Sequence, residues 1–287
     1  QKLKEYDLLD VIDQKLKDNY KRVKHFIENL ASDHQLEVRL PEIEDLTFNG
    51  YRDLIDVVIS KGCKILSFTF GIPDTASIQK LKKNNVILIG TCTTVEESIL
   101  LEKSGIDIIC FQGSEAGGHR GNFLSEKPTD NLGISLLAEV ASAVSVPIIY
   151  AGGIYSGQNI INSKKCGAQG YQVGSLLLAS PESALTAAEK SRLKSLGDDD
   201  IVLTKSFSGR YANGIKNSFT HSLDETTNIL PFPFQNKLTA DLRKVAKANN
   251  NIEFVNIWTG KTAKNFSELP TQQILKILIN EAEQFNN

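Results

Sequence analysis

Long apolar runs, a cationic surplus and paired cysteines are all missing from this 287-residue chain, and each absence removes a class of function. The longest apolar stretches, such as "NVILIG" and "VPIIYAGGI", fall far short of the roughly 20 residues that cross a bilayer. Nothing resembles a signal peptide, so the sequence places the protein in the cytoplasm with no membrane partner. Lys and Arg together number 32 against 34 Asp and Glu, a formal net charge of -2. Such a balance leaves no cations in excess to neutralise phosphates, which excludes nucleic acid as a partner. The four cysteines, Cys63, Cys92, Cys110 and Cys166, stand singly, without Cys-x-x-Cys spacing or paired histidines. No zinc or other metal site and no disulfide framework is expected; buried thiols are the plain reading. Methionine is absent altogether, an oddity in a chain of this size that excludes nothing by itself.

What is present is an ordinary globular composition, 41% hydrophobic and 23% charged, enough for one large core or two smaller ones. From residue 64 a unit repeats: a short apolar run, a turn containing glycine, then an amphipathic helix. "KILSFTFG" leads into "DTASIQKLKKNN", "VILIGTCT" into "TVEESILLEKSG", and "IDIICFQG" into a glycine-rich loop. "VPIIYAGGI" then precedes "SGQNIINSKKCG", and "GYQVGSLLL" precedes "SPESALTAAEKSRLKSLG". Serial strand-helix units predict parallel strands, because a parallel neighbour needs a crossover. Continuous apolar runs predict strands buried on both faces. Thr75, Thr94, Ser156 and Ser180 read as helix starts, and Gly105, Gly167 and Gly197 as stops.

Both the doubly wound sheet and the eight-stranded barrel use such units. The glycine-bearing strand ends come late, at "YAGGI" (150–154) and "QVGS" (172–175), whereas a doubly wound nucleotide binder carries its glycine turn after the first strand. The expectation is therefore an α/β fold, a TIM-type (β/α)8 barrel whose seventh and eighth strands end in a phosphate site. Counting back makes "KILSFTF" the fourth strand, so the first three are expected to be missing from this chain. Residues 1–63 read as a helical segment with apolar positions at Leu9, Ile12, Leu16, Val23, Ile27 and Leu30, followed by a helix over "YRDLIDVVISKG". Residues 64–200 read as the barrel units. Residues 201–256 read as a helical insertion or lid, and 257–287 as a final segment whose helix begins near Thr271.

The loop "QGSEAGGHRG" leaves the expected sixth strand at its C-terminal end, the face of a barrel where catalytic groups sit. Glycines on both sides of His119 give no packing reason for an imidazole there. Such a group can take a proton or hold positive charge beside an anion. His25, His34 and His221 read as surface or structural residues. Lys205, Arg210 and Tyr211 in "TKSFSGRYANG" are candidates for closing the site from the lid.

Taken together and in order, "GSEAGGHRG", "YAGGI", "GAQGYQVGSLLL", "SFSGRYANGI" and "PFPFQNKLT" resemble the nitronate monooxygenases, also called 2-nitropropane dioxygenases. That resemblance implies a flavoprotein with non-covalent FMN that oxidises alkyl nitronates with O2 to a carbonyl compound and nitrite. It implies His119 as the catalytic residue and Gln112, Gly117 and Gly118 near the flavin ring and ribityl chain. Gly152, Gly153, Gln172, Val173, Gly174 and Ser175 are implied at the phosphate end. Its partners would be a small nitronate and O2; a homodimer is compatible with these features. The related alternative is an FMN-dependent enoyl-acyl-carrier-protein reductase that takes electrons from NADH. The alternative of another class is a flavin-binding protein without catalysis.

Overall fold

The computed structural model describes residues 12–197, 199–261 and 266–285. Five strands form one sheet: β1 (Ile65–Phe68), β2 (Ile87–Cys92), β3 (Ile108–Gln112), β5 (Ile148–Ala151) and β6 (Gly170–Gln172). They pair in parallel and follow their chain order, with Phe68 opposite Gly90, Cys92 opposite Phe111, Gln112 opposite Ala151 and Ala151 opposite Gln172. Each step between strands moves the same way across the sheet. A doubly wound sheet must reverse its order once, so the arrangement is that of consecutive barrel strands. Helices α3 (Thr75–Lys83), α4 (Val95–Lys103), α5 (Gly133–Ala143) and α6 (Gly157–Lys165) make the crossovers.

Local chemistry sets the helix ends. The side chains of Thr94 and Ser156 accept from Glu97 N–H and Asn159 N–H, capping α4 and α6 as the sequence predicts. Helix α3 is capped by Asp74 rather than Thr75: the carboxylate accepts from Ser77 N–H and also pairs with Arg52, which a hydroxyl one residue later cannot do. Ser180 starts no helix, because its hydroxyl turns back to Leu177 O; α7 (Ala187–Lys194) begins instead behind a Thr186–Glu189 capping box. Gly105 and Gly167 follow the ends of α4 and α6 as expected, but α7 stops at Lys194, three residues short of Gly197.

Among the described residues two apolar cores form. The sheet core holds Leu81, Leu88, Leu101, Ile109, Phe111 and Leu137, wholly removed from water, each stabilising by about 1.5–3 kcal/mol. It also takes Ile55 of α2 (Tyr51–Ser60) and Leu278 of α11 (Thr271–Gln284), which packs along α6. The second core joins α1 (Gln14–Asp33), through Tyr20, Val23, Ile27 and Ala31, to residues beyond 190 such as Phe207, Phe219, Leu230 and Phe254. Ile12 and Leu16 pack against the same cluster; Leu9 lies outside the described residues.

The segment after residue 200 contains helices α8 (Ser218–Leu223), α9 (Phe234–Leu238) and α10 (Ala240–Ala248), and also a hairpin that the sequence pattern does not announce. Its strands β7 (Ile201–Thr204) and β8 (Ala212–Ile215) pair antiparallel, and β8 captures the short strand β4 (Gly118–His119), placing Gly118 opposite Asn213 and His119 opposite Ala212. The glycine-rich loop is thus clamped between the parallel sheet and this second sheet. Buried Glu97 adds a tie at the same end: its carboxylate accepts from Thr93 N–H, Thr93 Oγ1, Phe123 N–H and Leu124 N–H, joining the end of β2 to the chain just beyond the loop.

Candidate active site

Seven of the residues singled out in the sequence, Gln112, Gly117, Gly118, Gly152, Gln172, Gly174 and Ser175, line one cleft of about 220 Å³ at the C-terminal strand ends. Segments as far apart as 112 and 175 converge there because β3, β5 and β6 are consecutive neighbours in the sheet. Gly153 follows Gly152 at the strand end but does not line the cleft, and Val173 turns its side chain into the sheet core. Among the described residues, the backbone N–H groups of Gly152, Gly153, Gly174 and Ser175 find no acceptor. Unpaired amides gathered at strand ends form an anion-binding arrangement.

Two glutamines face this cleft with different jobs. Gln112 Nε2 donates to His119 O at 3.0 Å and Gln112 Oε1 accepts from Gly121 N–H at 2.9 Å, so its amide is a strut across the base of the loop. Gln172 Oε1 accepts from the buried Cys110 thiol at 3.2 Å, which leaves its amide nitrogen as the donor available to the cleft. Asn213 completes the loop's support, Nδ2 donating to Ser114 O at 2.8 Å and to Ala116 O at 2.7 Å. Gly117 is required by close approach: a Cβ there would lie 2.6 Å from the Thr259 carbonyl carbon. Buried Arg120 anchors the far end of the loop, donating to Gly113 O at 2.6 Å, and burial brings its guanidinium down to about 10.

His119 stands beside the cleft, with Trp258, which lines it, at 5.3 Å between ring centroids, and with Phe70 at 5.9 Å. Its Nε2 is 2.7 Å from Ser208 Oγ. The Ser208 hydroxyl also accepts from Arg210 N–H and donates its single proton to Arg210 O. In that arrangement Nε2 carries the imidazole proton and Nδ1 the lone pair; rotation of the hydroxyl toward Nε2 exchanges the two roles. Burial, reinforced by the charges of Arg210 and Arg243, holds the imidazole down at about 4 from an ordinary 6.5. Of the two states that the sequence allows, the free protein therefore has the neutral one at neutral pH. An incoming anion would be attracted by the same cations and would pull the value upward.

This depression carries a stability consequence. The unfolded chain takes up the proton first as pH falls, so the contribution of His119 is complete above about pH 6.5 and is lost between there and pH 4. Denaturant melts at pH 7 and pH 4.5 should show the protein losing on the order of 2–3 kcal/mol more than its His119→Asn variant. Parallel acid limbs for the two proteins would contradict the buried neutral imidazole.

Of the lid residues named from sequence, Arg210 reaches this site. The Arg210 guanidinium lies 4.0 Å over the Phe70 ring and Nη2 donates to Asn122 O at 3.0 Å. Lys205 sits 5.2 Å over the Tyr211 ring and pairs with Glu126 at 3.3 Å, away from the imidazole's own contacts. Four further residues of the site, Phe70, Ser208, Asn213 and Trp258, receive no role from the sequence, although Ser208 and Asn213 lie in the quoted "SFSGRYANGI". Phe70 carries no signal of its own, and nothing local marks Ser208 as a partner of His119; Asn213-Gly214 looks like a turn pair yet lies in a fully buried strand. The lone tryptophan followed by Thr-Gly is the one visible cue.

A row of parallel strands in barrel order, an amide-lined cleft at their C-terminal ends and a neutral imidazole beside it define a protein of the TIM-barrel class with an anion site at the strand ends. The nitronate monooxygenase family model matches residues 6–281, and the chain belongs to that family. It is 36% identical over 241 residues to a probable nitronate monooxygenase of Staphylococcus saprophyticus, covering 83% of this chain and 68% of the relative. A Staphylococcus aureus relative of the same description is 40% identical over 254 residues, 87% of this chain and 71% of its own length. Among solved structures, a nitroalkane oxidase from Streptomyces ansochromogenes superposes with a TM-score of 0.84 at 29% identity, over 94% of this chain and 78% of its own. FabK from Thermotoga maritima gives 0.70 at 25% identity, over 84% and 75%. Among the described residues no helix is long and apolar enough to cross a membrane.

Proposed function

We propose that the protein oxidises a small alkyl nitronate with O2 to a carbonyl compound and nitrite, using FMN as its flavin. The observation that carries this reading is the pairing of an amide-lined cleft with a neutral imidazole under cationic influence. The cleft suits the phosphate end of FMN: among the described residues the amides of Gly152, Gly174 and Ser175 lack acceptors, and nothing lies within 4 Å of a Cβ at Gly174. Gly153 and Val173 contribute backbone to the same strand ends, and Gly117, Gly118 and Gln172 lie where the ribityl chain and ring would pass. Bound FMN would supply the electron acceptor for the nitronate and the reactive partner for O2.

The chain's own residues supply binding and orientation. The Arg210 and Arg243 charges favour an anion at the imidazole, and a nitronate spreads its negative charge over carbon and oxygen. With Nε2 held at Ser208, Nδ1 is the imidazole atom left to meet the substrate. In the tautomer that protonates Nδ1, it donates to a nitronate oxygen; in the other, it can receive the α-proton of a neutral nitroalkane. Trp258 and Phe70 shield the ring from water and strengthen either interaction.

The deciding experiment is anaerobic mixing of the flavin-loaded enzyme with ethylnitronate or with NADH. Ethylnitronate should bleach the flavin, nitrite should appear once O2 is admitted, and the cofactor released on denaturation should be FMN. Rapid bleaching by NADH without a response to nitronate would overturn the reading in favour of an NADH-dependent reductase. Bound flavin that responds to neither would make this a non-catalytic flavoprotein.

A further inference from the structure

Beyond shielding His119, the Phe70 ring makes contacts that catalysis by the imidazole does not explain. Phe70 follows β1 with φ of +77°, a left-handed conformation that an aromatic residue rarely adopts. That backbone delivers the ring to the imidazole, 5.9 Å between centroids and 80° between planes. Its face is covered by the Arg210 guanidinium at 4.0 Å, and Arg210 is itself tied to Asn122 O. On another side Phe70 meets Phe232, 6.0 Å between centroids.

Phe232 is the link to a second space. It lines an outer groove of about 800 Å³, together with Leu16 and Asn19 of α1 and with Thr227, Pro231 and Phe234. From that groove inward, the order of rings is Phe232, Phe70, His119. Phe70 is pinned by the cation on its face and cannot swing aside without giving up that contact.

We propose that Phe70 is a partition between the imidazole and the outer groove, and that it restricts the substrate to nitronates with short organic groups. This deepens the functional reading and rests on His119 being the residue that meets the anion. A short alkyl group ends against the Phe70 edge, whereas a longer one meets the pinned ring. Truncation of Phe70 would connect the space beside His119 to the groove and admit the longer chain.

Trp258 is the only tryptophan and lies 5.3 Å from the imidazole, so its fluorescence reports on this site without turnover. The probes are straight-chain carboxylates from acetate to octanoate, planar anions that imitate a nitronate but do not react. They are titrated into the flavin-loaded protein and into Phe70→Ala and Phe70→Leu. The affinity of octanoate relative to acetate should rise about tenfold in Phe70→Ala and stay near the parent value in Phe70→Leu. The ratio of kcat/KM for nitrite release from 1-nitrooctane nitronate over ethylnitronate should move with it. If Phe70→Ala does not load flavin, Phe70→Val should shift both ratios in the same direction. The same chain-length profile in the parent and the truncated protein would overturn the partition while leaving the anion site intact. A parent protein whose tryptophan responds to no carboxylate would overturn the anion site, and the partition with it.

Discussion

Replacing His119 with asparagine should lower kcat/KM for nitrite release from ethylnitronate by on the order of 100-fold, with flavin content unchanged. Asparagine has similar reach and keeps a donor and an acceptor near Ser208, but it cannot exchange a proton between two ring nitrogens. The loop should survive the change. It is held by Gln112 on the His119 carbonyl, by Asn213 on Ser114 and Ala116, and by the ladder to β8, none of which uses the imidazole. Loss of a hydrogen bond to an anion in a site shielded from water corresponds to about 1.5–3 kcal/mol, which sets the scale of the rate effect. A flavin-loaded variant within threefold of the parent would remove His119 from the reaction.

The second large effect is expected at Gly174, where the fold and the proposed FMN phosphate site separate cleanly. A Cβ at this position meets nothing within 4 Å, and φ of -126° lies outside the left-handed region, so a side chain costs the fold little. Gly174→Leu should therefore melt within about 1 kcal/mol of the parent. It would fill the space from which the Gly174 and Ser175 amides reach the cleft. With two charge-assisted bonds obstructed, FMN affinity should fall by about 100-fold or more. Riboflavin, which has no phosphate, should lose far less, so the preference for FMN over riboflavin measured by flavin fluorescence should largely vanish. A variant that binds FMN like the parent would move the phosphate elsewhere. By contrast Gly117, packed against the Thr259 backbone, cannot make this separation, because any side chain there disturbs the loop itself.

Much of the parallel sheet is legible in the amino-acid order. Strands ending in glycine and helices opened by Thr94 or Ser156 are local events, governed by backbone freedom and by hydrogen bonds over three or four residues. Such local signals fail where a nearby competitor is stronger, as when Asp74 takes the cap from Thr75. They also fail where local appearance misleads: Asn213-Gly214 resembles a turn, yet Asn213 is wholly buried and supports the loop that carries His119. The cleft itself can be anticipated, since parallel strands in series bring their C-terminal ends together and those ends carry the glycines.

The surroundings of the imidazole cannot. Ser208, Trp258 and Phe70 lie between 49 and 139 residues from His119 in sequence and meet it only because the β7–β8 hairpin captures the loop and Phe70 follows β1 in a left-handed turn. Likewise α1 shows a clear amphipathic period, but that its apolar face packs on residues beyond 190 follows from the second core alone. By itself, then, the amino-acid order determined the strand-helix rhythm, the glycine-bearing ends and the presence of a histidine among them, because each depends on neighbours along the chain. The neutral state of that histidine, its wall of Phe70 and Trp258 and the division into two cores were decided by tertiary structure, because burial and charge act through space rather than along sequence.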